Sequence, residues 1–270
     1  MVFSTILGTT MTAANIVHVH MRTIPETEYE EVKCTVRKIE GKLKAQSTEV
    51  KYDGKQEWRL GGALHRSGKP AVEYYDKDVL RAMEYYQLGK FHNGEGPARK
   101  VLNSDGTTLL EEHYFEGELH RSDGPAVVQN HPNGKIYMEK MYEFGKLHHW
   151  GKPAIVVYNT DGKPIVKEWY MHDKKHRYDA PAVKYWYDNG DYKHEYYELG
   201  RLHRDHVPAV IIQFQGEYRC EYYQRGKLHR DHGPAVVDID DFGQRHEEYY
   251  LNGRQYSKIG YYFAKAGLWW

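Results

Sequence analysis

The chain has 270 residues, with 38 Lys and Arg balancing 38 Asp and Glu, 25 Tyr, 7 Phe and 6 Trp, and a mean hydropathy of -0.84. The balanced charge excludes a global field that would gather nucleic acid or an anionic membrane, and no apolar run approaches the roughly 20 residues of a membrane span. Two distant cysteines, Cys34 and Cys220, carry no C-x-x-C spacing; this excludes a disulfide framework or zinc ribbon and points to a reducing compartment. So many tyrosines suit thin, half-wet β-sheets, in which a ring buries its body and keeps its hydroxyl in water.

In chain order, residues 1–27 show no periodicity and read as an N-terminal arm, flexible or donated as a strand to a partner. Their opening, "MVFSTILGTTMTAAN", lacks a basic region and its apolar run is broken, which argues against a signal peptide and for a protein that is not secreted. Residues 28–51 alternate apolar and polar around Glu40-Gly41-Lys42 and predict a degenerate starting hairpin. From Gly62 the chain repeats itself: GALHRSGKPAV at 62, GKFHNGEGPAR at 89, GELHRSDGPAV at 117, GKLHHWGKPAI at 145, DKKHRYDAPAV at 173, GRLHRDHVPAV at 200 and GKLHRDHGPAV at 226. The prolines Pro70, Pro97, Pro125, Pro153, Pro181, Pro208 and Pro234 stand 26 to 28 residues apart, each five after its histidine: His65, His92, His120, His148, His176, His203 and His229. Such self-similarity has to be recognised before any single motif is read as chemistry.

Within each copy an aromatic lies three before the glycine position, at Tyr86, Tyr114, Tyr142, Tyr170, Tyr197, Tyr223 and Tyr250, with Arg59 the exception. Turn sequences NSDG, HPNG, NTDG, YDNG and DDFG separate the Pro-Ala-Val runs from the next Glu-Tyr-Tyr runs. Asp-Gly and Asn-Gly between alternating runs are hairpin signals. Each repeat therefore predicts a strand opening at Pro-Ala, a tight turn, a second strand closing at Tyr-Tyr, and a Gly-x-Leu-His-Arg corner. The residue after Pro-Ala and the one two further on, such as Val101, Val157, Tyr185 and Ile212, share a face by the period-2 rule and are expected in the core. After residue 256 the period stops. Ile259, Tyr262, Phe263, Ala266, Trp269 and Trp270 recur at helical spacing behind a candidate N-cap, Ser257, so 257–270 predicts a short helix folding its apolar stripe over the last hairpin.

The repeated Tyr-x-x-Gly-x-Leu-His-Arg-x-x-Gly-Pro-Ala pattern, over about residues 52–256, resembles the MORN repeat proteins in a variant abundant in large DNA viruses and phages. The resemblance implies an all-β, elongated, single-layer antiparallel meander of tandem hairpins spanning 28–256. It also implies a scaffold or docking surface with no chemistry of its own, cytoplasmic or virion-associated. His-Arg and Gly-Pro-Ala replace the usual Gly-x-Gly of MORN repeats, a departure that argues against lipid-headgroup binding.

The catalytic readings fail on their own spacing. His229-Arg230-Asp231 and Asp241-Phe242-Gly243 mimic kinase motifs, but Val236 stands where the loop needs Asn and there is no glycine-rich phosphate loop upstream. No enzyme activity is expected. Equivalent histidines two strands apart should be about 9 to 10 Å from one another, whereas zinc ligands each lie about 2 Å from the ion, so no metal or other cofactor is expected. Each imidazole is instead expected to bond the backbone of its own corner, and the following Arg, present in five copies, to pair with an acidic neighbour. The function these features indicate is protein–protein interaction or self-assembly, with the tyrosine row and Trp269–Trp270 as candidate partner contacts. An aromatic-lined module for glycans or choline-type ligands is the alternative.

Overall fold

The computed structural model describes residues 33–45 and 48–268. The arm at 1–27, the start of the first hairpin at 28–32, and Trp269 and Trp270 lie outside the described residues. Two 13-residue strands, Lys33–Ala45 and Thr48–Leu60, form the first hairpin. Glu40-Gly41-Lys42 is not its turn: it lies within the first strand, at a register shift between Lys38 and Gly41, where glycine leaves room for the Tyr52 ring beneath it.

Seven further hairpins follow: Val72–Asp76 with Val79–Glu84, Arg99–Leu102 with Thr108–Glu112, Val127–Asn130 with Ile136–Lys140, Ile155–Tyr158 with Pro164–Glu168, Val183–Trp186 with Tyr192–Glu195, Val210–Phe214 with Glu217–Glu221, and Val236–Ile239 with Arg245–Leu251. Each hairpin pairs antiparallel with the next, so one uncrossed meander runs through the molecule as an 18-stranded sheet that includes two short strands, Ala63–Leu64 and Arg254–Tyr256. Its first and last hairpins do not pair with each other, and the sheet does not close into a barrel. The glycine turns form as the sequence predicts; at the first, Asn103 N–H donates to Thr107 O and Gly106, at φ +85°, donates to Asn103 O. Two turns carry no such signal: Lys77–Asp78 has two non-glycine residues at φ +48° and +65°, and the other is Gln215–Gly216.

The centre of each repeat is its alanine. Ala71, Ala98, Ala126, Ala154, Ala182, Ala209 and Ala235 are all 0% exposed, because the ladder runs through them on both sides: Ala71 N–H donates to Glu84 O while its own carbonyl accepts from Trp58 N–H. The residue after alanine lies in a continuous cross-strand row, Glu57–Val72–Glu84–Arg99–Glu112–Val127, that continues to Val236–Glu248. The expected core is only partly buried. Val101 is 0% exposed, in a cluster with Val72, Leu110 and Val127 against which Leu64, Tyr86 and Leu119 of the corners pack, but Val157, Tyr185 and Ile212 remain partly exposed. Arg99, the one cation at the valine position after Pro-Ala, bridges Glu84 at 3.3 Å and Glu112 at 3.2 Å. Burial pushes the Glu84 carboxyl above its ordinary range, and Arg99 supplies the charge that Val would not.

Helix α1 (Lys258–Lys265) starts where predicted, with Ser257 Oγ accepting Gly260 N–H at 3.1 Å. Its packing face differs from the one predicted. Ile259, Tyr262 and Phe263 are 71%, 54% and 48% exposed, whereas Tyr261 is 1% exposed. The reason is hydrogen bonding: the Tyr261 hydroxyl donates to Arg230 O at 2.8 Å and accepts from Gly233 N–H at 3.1 Å, and its ring meets Tyr249 at 5.2 Å. A phenol that satisfies two loop backbone groups outweighs an aliphatic stripe with nothing behind it.

Sixteen ladder strands at about 4.8 Å each make the sheet roughly 75 Å long; small-angle scattering should give a maximum dimension at least this large, and the value for a compact sphere of this mass would contradict the fold. Tyr261→Ala should detach the helix from the last repeat and cost about 3 kcal/mol, measured as a lower thermal midpoint.

Candidate interaction surface: the corner ladder

Each repeat leaves the sheet through a two-residue hairpin such as Tyr86–Gln87 paired with Lys90–Phe91. Its two central residues both have positive φ: Leu88 +47° and Gly89 +83°, Phe144 +44° and Gly145 +74°, Leu199 +46° and Gly200 +87°. This is the type I′ turn, whose twist matches the flanking strands. It explains the repeated glycine and, at His172–Asp173 (+47° and +65°), the copy in which aspartate replaces it.

Successive corners are tied together by two hydrogen bonds. The glycine N–H donates to the leucine-position carbonyl of the preceding corner, as in Gly89 to Leu64 and Gly226 to Leu202, both at 2.8 Å. The ladder histidine makes the second. Nδ1 of His65, His92, His120, His148, His176, His203 and His229 accepts the backbone N–H of Leu88, Glu116, Phe144, His172, Leu199, Arg225 and Asn252, at 3.0 to 3.4 Å. The expectation of a bond to the same corner is thus corrected: the imidazole reaches forward 22 to 24 residues, because the type I′ turn directs the N–H of its first central residue back toward the preceding repeat. A nitrogen that accepts cannot be protonated, so the proton of a neutral ring lies on Nε2. Burial holds His65, His92 and His148 below the ordinary imidazole value, consistent with that neutral state.

The arginines also differ from expectation. Arg66, Arg177, Arg204 and Arg230 each lie 3.8 Å from the centroid of Trp58, Trp169, Tyr196 and Tyr222, and each donates to the carbonyl of the proline four residues on, at 3.1 to 3.4 Å. A planar guanidinium can stack on a ring and donate at its edge simultaneously, and the nearest aromatic belongs to the same repeat. Asn93, in the copy without arginine, makes the same bond to Pro97 O at 3.0 Å. Two of the five take an acidic partner within their own repeat: Arg121 pairs with Asp123 at 2.8 Å, and Arg66 lies 3.7 Å from Glu73.

The prolines precede the strands, where no ladder donor is lost. The signature tyrosines form a half-buried row. Tyr86, Tyr114, Tyr170, Tyr223 and Tyr250 donate their hydroxyls to the glutamate two residues earlier, at 2.7 to 3.2 Å, and Tyr197 and Tyr223 are pushed up to about 12, chiefly by burial. Tyr142 follows Lys140 and has no such partner in its own strand. Tyr86, Phe91 and Tyr114 stack at 4.2 and 4.8 Å.

Sequence reasoning missed the tips of the corners. From the second corner to the seventh the first central residue alternates apolar and polar, Leu88, Glu116, Phe144, His172, Leu199, Arg225, while the end corners carry Gly61 and Asn252. The apolar three are 60%, 54% and 51% exposed. The alternation is readable in the sequence once the turn type is known. Among the described residues no group of three or more His, Cys, Asp or Glu could hold a metal ion, and no helix is long and apolar enough to cross a membrane. No protein-family profile matches the chain, and no curated protein is similar to it in sequence.

Removing one ladder imidazole orphans a backbone N–H, so His229→Ala should cost about 1 to 3 kcal/mol in chemical denaturation. Because the folded-state pKa values of His65, His92 and His148 are lowered, the unfolded chain binds more protons below pH 6.5. Stability should therefore be fully present above that value and decline as pH falls through it; a flat profile between pH 7 and 5 would contradict the neutral ladder.

Proposed function

We propose that this chain is a non-enzymatic scaffold that joins a protein partner or further copies of itself along the flank formed by its corners. The observation that carries this reading is the placement of exposed leucine and phenylalanine at Leu88, Phe144 and Leu199, with φ of +47°, +44° and +46°. Bulky residues are rare in this conformation, where Gly costs least and Asn least among residues with a side chain. Folding alone would select Gly or Asn there, and strain kept at an exposed apolar tip is of the kind that marks function. These three tips stand two repeats apart, which spaces the contacts about 19 Å apart along the sheet, a period suited to an extended, repeating partner.

The tandem hairpins are compatible with a MORN-like repeat, and the His-Arg and Gly-Pro-Ala signature supports the variant found in large DNA viruses. A structural or virion-associated role follows from that resemblance. The test is the double substitution Leu88→Asn and Leu199→Asn. Its thermal midpoint should stay level or rise, because Asn tolerates the turn, while sedimentation velocity shows loss of the self-association or partner complex formed by the unaltered chain. A parent chain that sediments as a monomer and retains nothing from its native lysate would overturn the proposal.

A further inference from the structure

The position two residues after the ladder histidine is small or acidic in five repeats and aromatic in only two, which are adjacent: Trp150 and Tyr178. Both rings stand well out from the surface, 72% and 75% exposed. Each is nonetheless set at right angles to the imidazole of its own repeat, Trp150 with His148 at 4.9 Å and 87°, Tyr178 with His176 at 4.6 Å and 83°. Between them lies a groove of about 190 Å³ that Trp169 and Arg177 also line, with the guanidinium stacked 3.8 Å from the Trp169 ring.

The polar lining is unbalanced. Nδ1 of His148 and of His176 accepts a backbone N–H, which places the proton on Nε2, and Nε2 of both rings is buried with no hydrogen-bond partner. His148 is itself only 4% exposed, and the closest carboxylate oxygen, on Glu143, is 3.6 Å away, beyond hydrogen-bond range. No Asp, Glu, Asn or Gln side chain lines the groove. It therefore offers aromatic faces but no carboxylate or amide side chain to receive a donor.

We infer that this groove binds a proline-rich peptide segment in the polyproline II conformation, laid along the long axis of the sheet with prolines one turn apart against Trp150 and Tyr178. Polyproline II rises about 3.1 Å per residue with three residues per turn, about 9.3 Å, close to the roughly 9.6 Å between adjacent repeats. Proline brings a flat apolar ring for the aromatic faces. It brings no N–H that would demand an acceptor the groove lacks. A sugar ring would stack equally well, but each of its hydroxyls is also a donor and would find no carboxylate or amide side chain here.

The inference names a partner class for the interaction role above while resting on different side chains, so its failure would leave the corner tips untouched. The experiment is titration of the full chain with decaproline and, separately, with cellohexaose, followed by tryptophan fluorescence and calorimetry. Saturable binding of decaproline below about 1 mM is expected. Trp150→Ala and Tyr178→Ala should each weaken it at least about tenfold, as loss of an aromatic anchor does. Phe242→Ala, at a turn residue 90% exposed and outside the groove, should leave it unchanged, with all three variants keeping the parent circular dichroism spectrum. No saturation by decaproline, undiminished affinity in both groove variants, or saturation by cellohexaose alone would each overturn the inference.

Discussion

The hydrogen bond from the backbone of one corner to the imidazole of the preceding one sets the terms for the rest of the molecule. It recurs in all seven copies and fixes how far each corner lies from its predecessor. Together with the glycine-to-leucine bond beside it, it gives the flank of the sheet its own ladder, parallel to that of the strands. Each repeat then touches only its neighbours, and stability becomes a sum of repeat and interface terms. The same bond requires neutral imidazoles, which agrees with the lowered pKa of His65, His92 and His148.

A sheet one layer thick hides few large aliphatic residues, and the composition follows from this. Leu109 and Leu110 are buried in a small cluster with Val72, Val101 and Val127, but the position fully enclosed in every repeat is the alanine. Around it, burial is shared between ring bodies and the stems of charged side chains: tyrosine hydroxyls on glutamates, guanidiniums on rings, and arginine edges on proline carbonyls. Each of these pairs lies within one repeat, which is why the pattern propagates without a second layer.

The two ends are managed differently. The first strand is rich in Lys and Arg, with Arg37, Lys38, Lys42 and Lys44 on a strand that pairs on one side only among the described residues, a charge pattern that discourages edge-to-edge pairing. At the far end Tyr261 stitches the helix onto the loop of the last repeat, and the helix keeps Ile259, Tyr262 and Phe263 in solvent.

The sequence by itself determined the architecture. The 26-to-28-residue period, the turn glycines, the alternation after Pro-Ala and the Ser257 cap are local signals, and a repeat whose contacts are all with its neighbours is specified by local signals alone. Tertiary structure decided what each polar side chain meets. Whether His229 bonds its own corner or the next depends on a turn whose positive φ falls on Asn252, 23 residues later. Whether an arginine finds a carboxylate or a ring depends on how the loop folds over the strand. Tyr261 displaced the aliphatic stripe because its hydroxyl reaches two backbone groups about 30 residues earlier in the chain. Periodicity reports which residues are apolar but not where an unpaired donor or carbonyl awaits a partner, and in a single-layer sheet those unpaired groups choose the contacts.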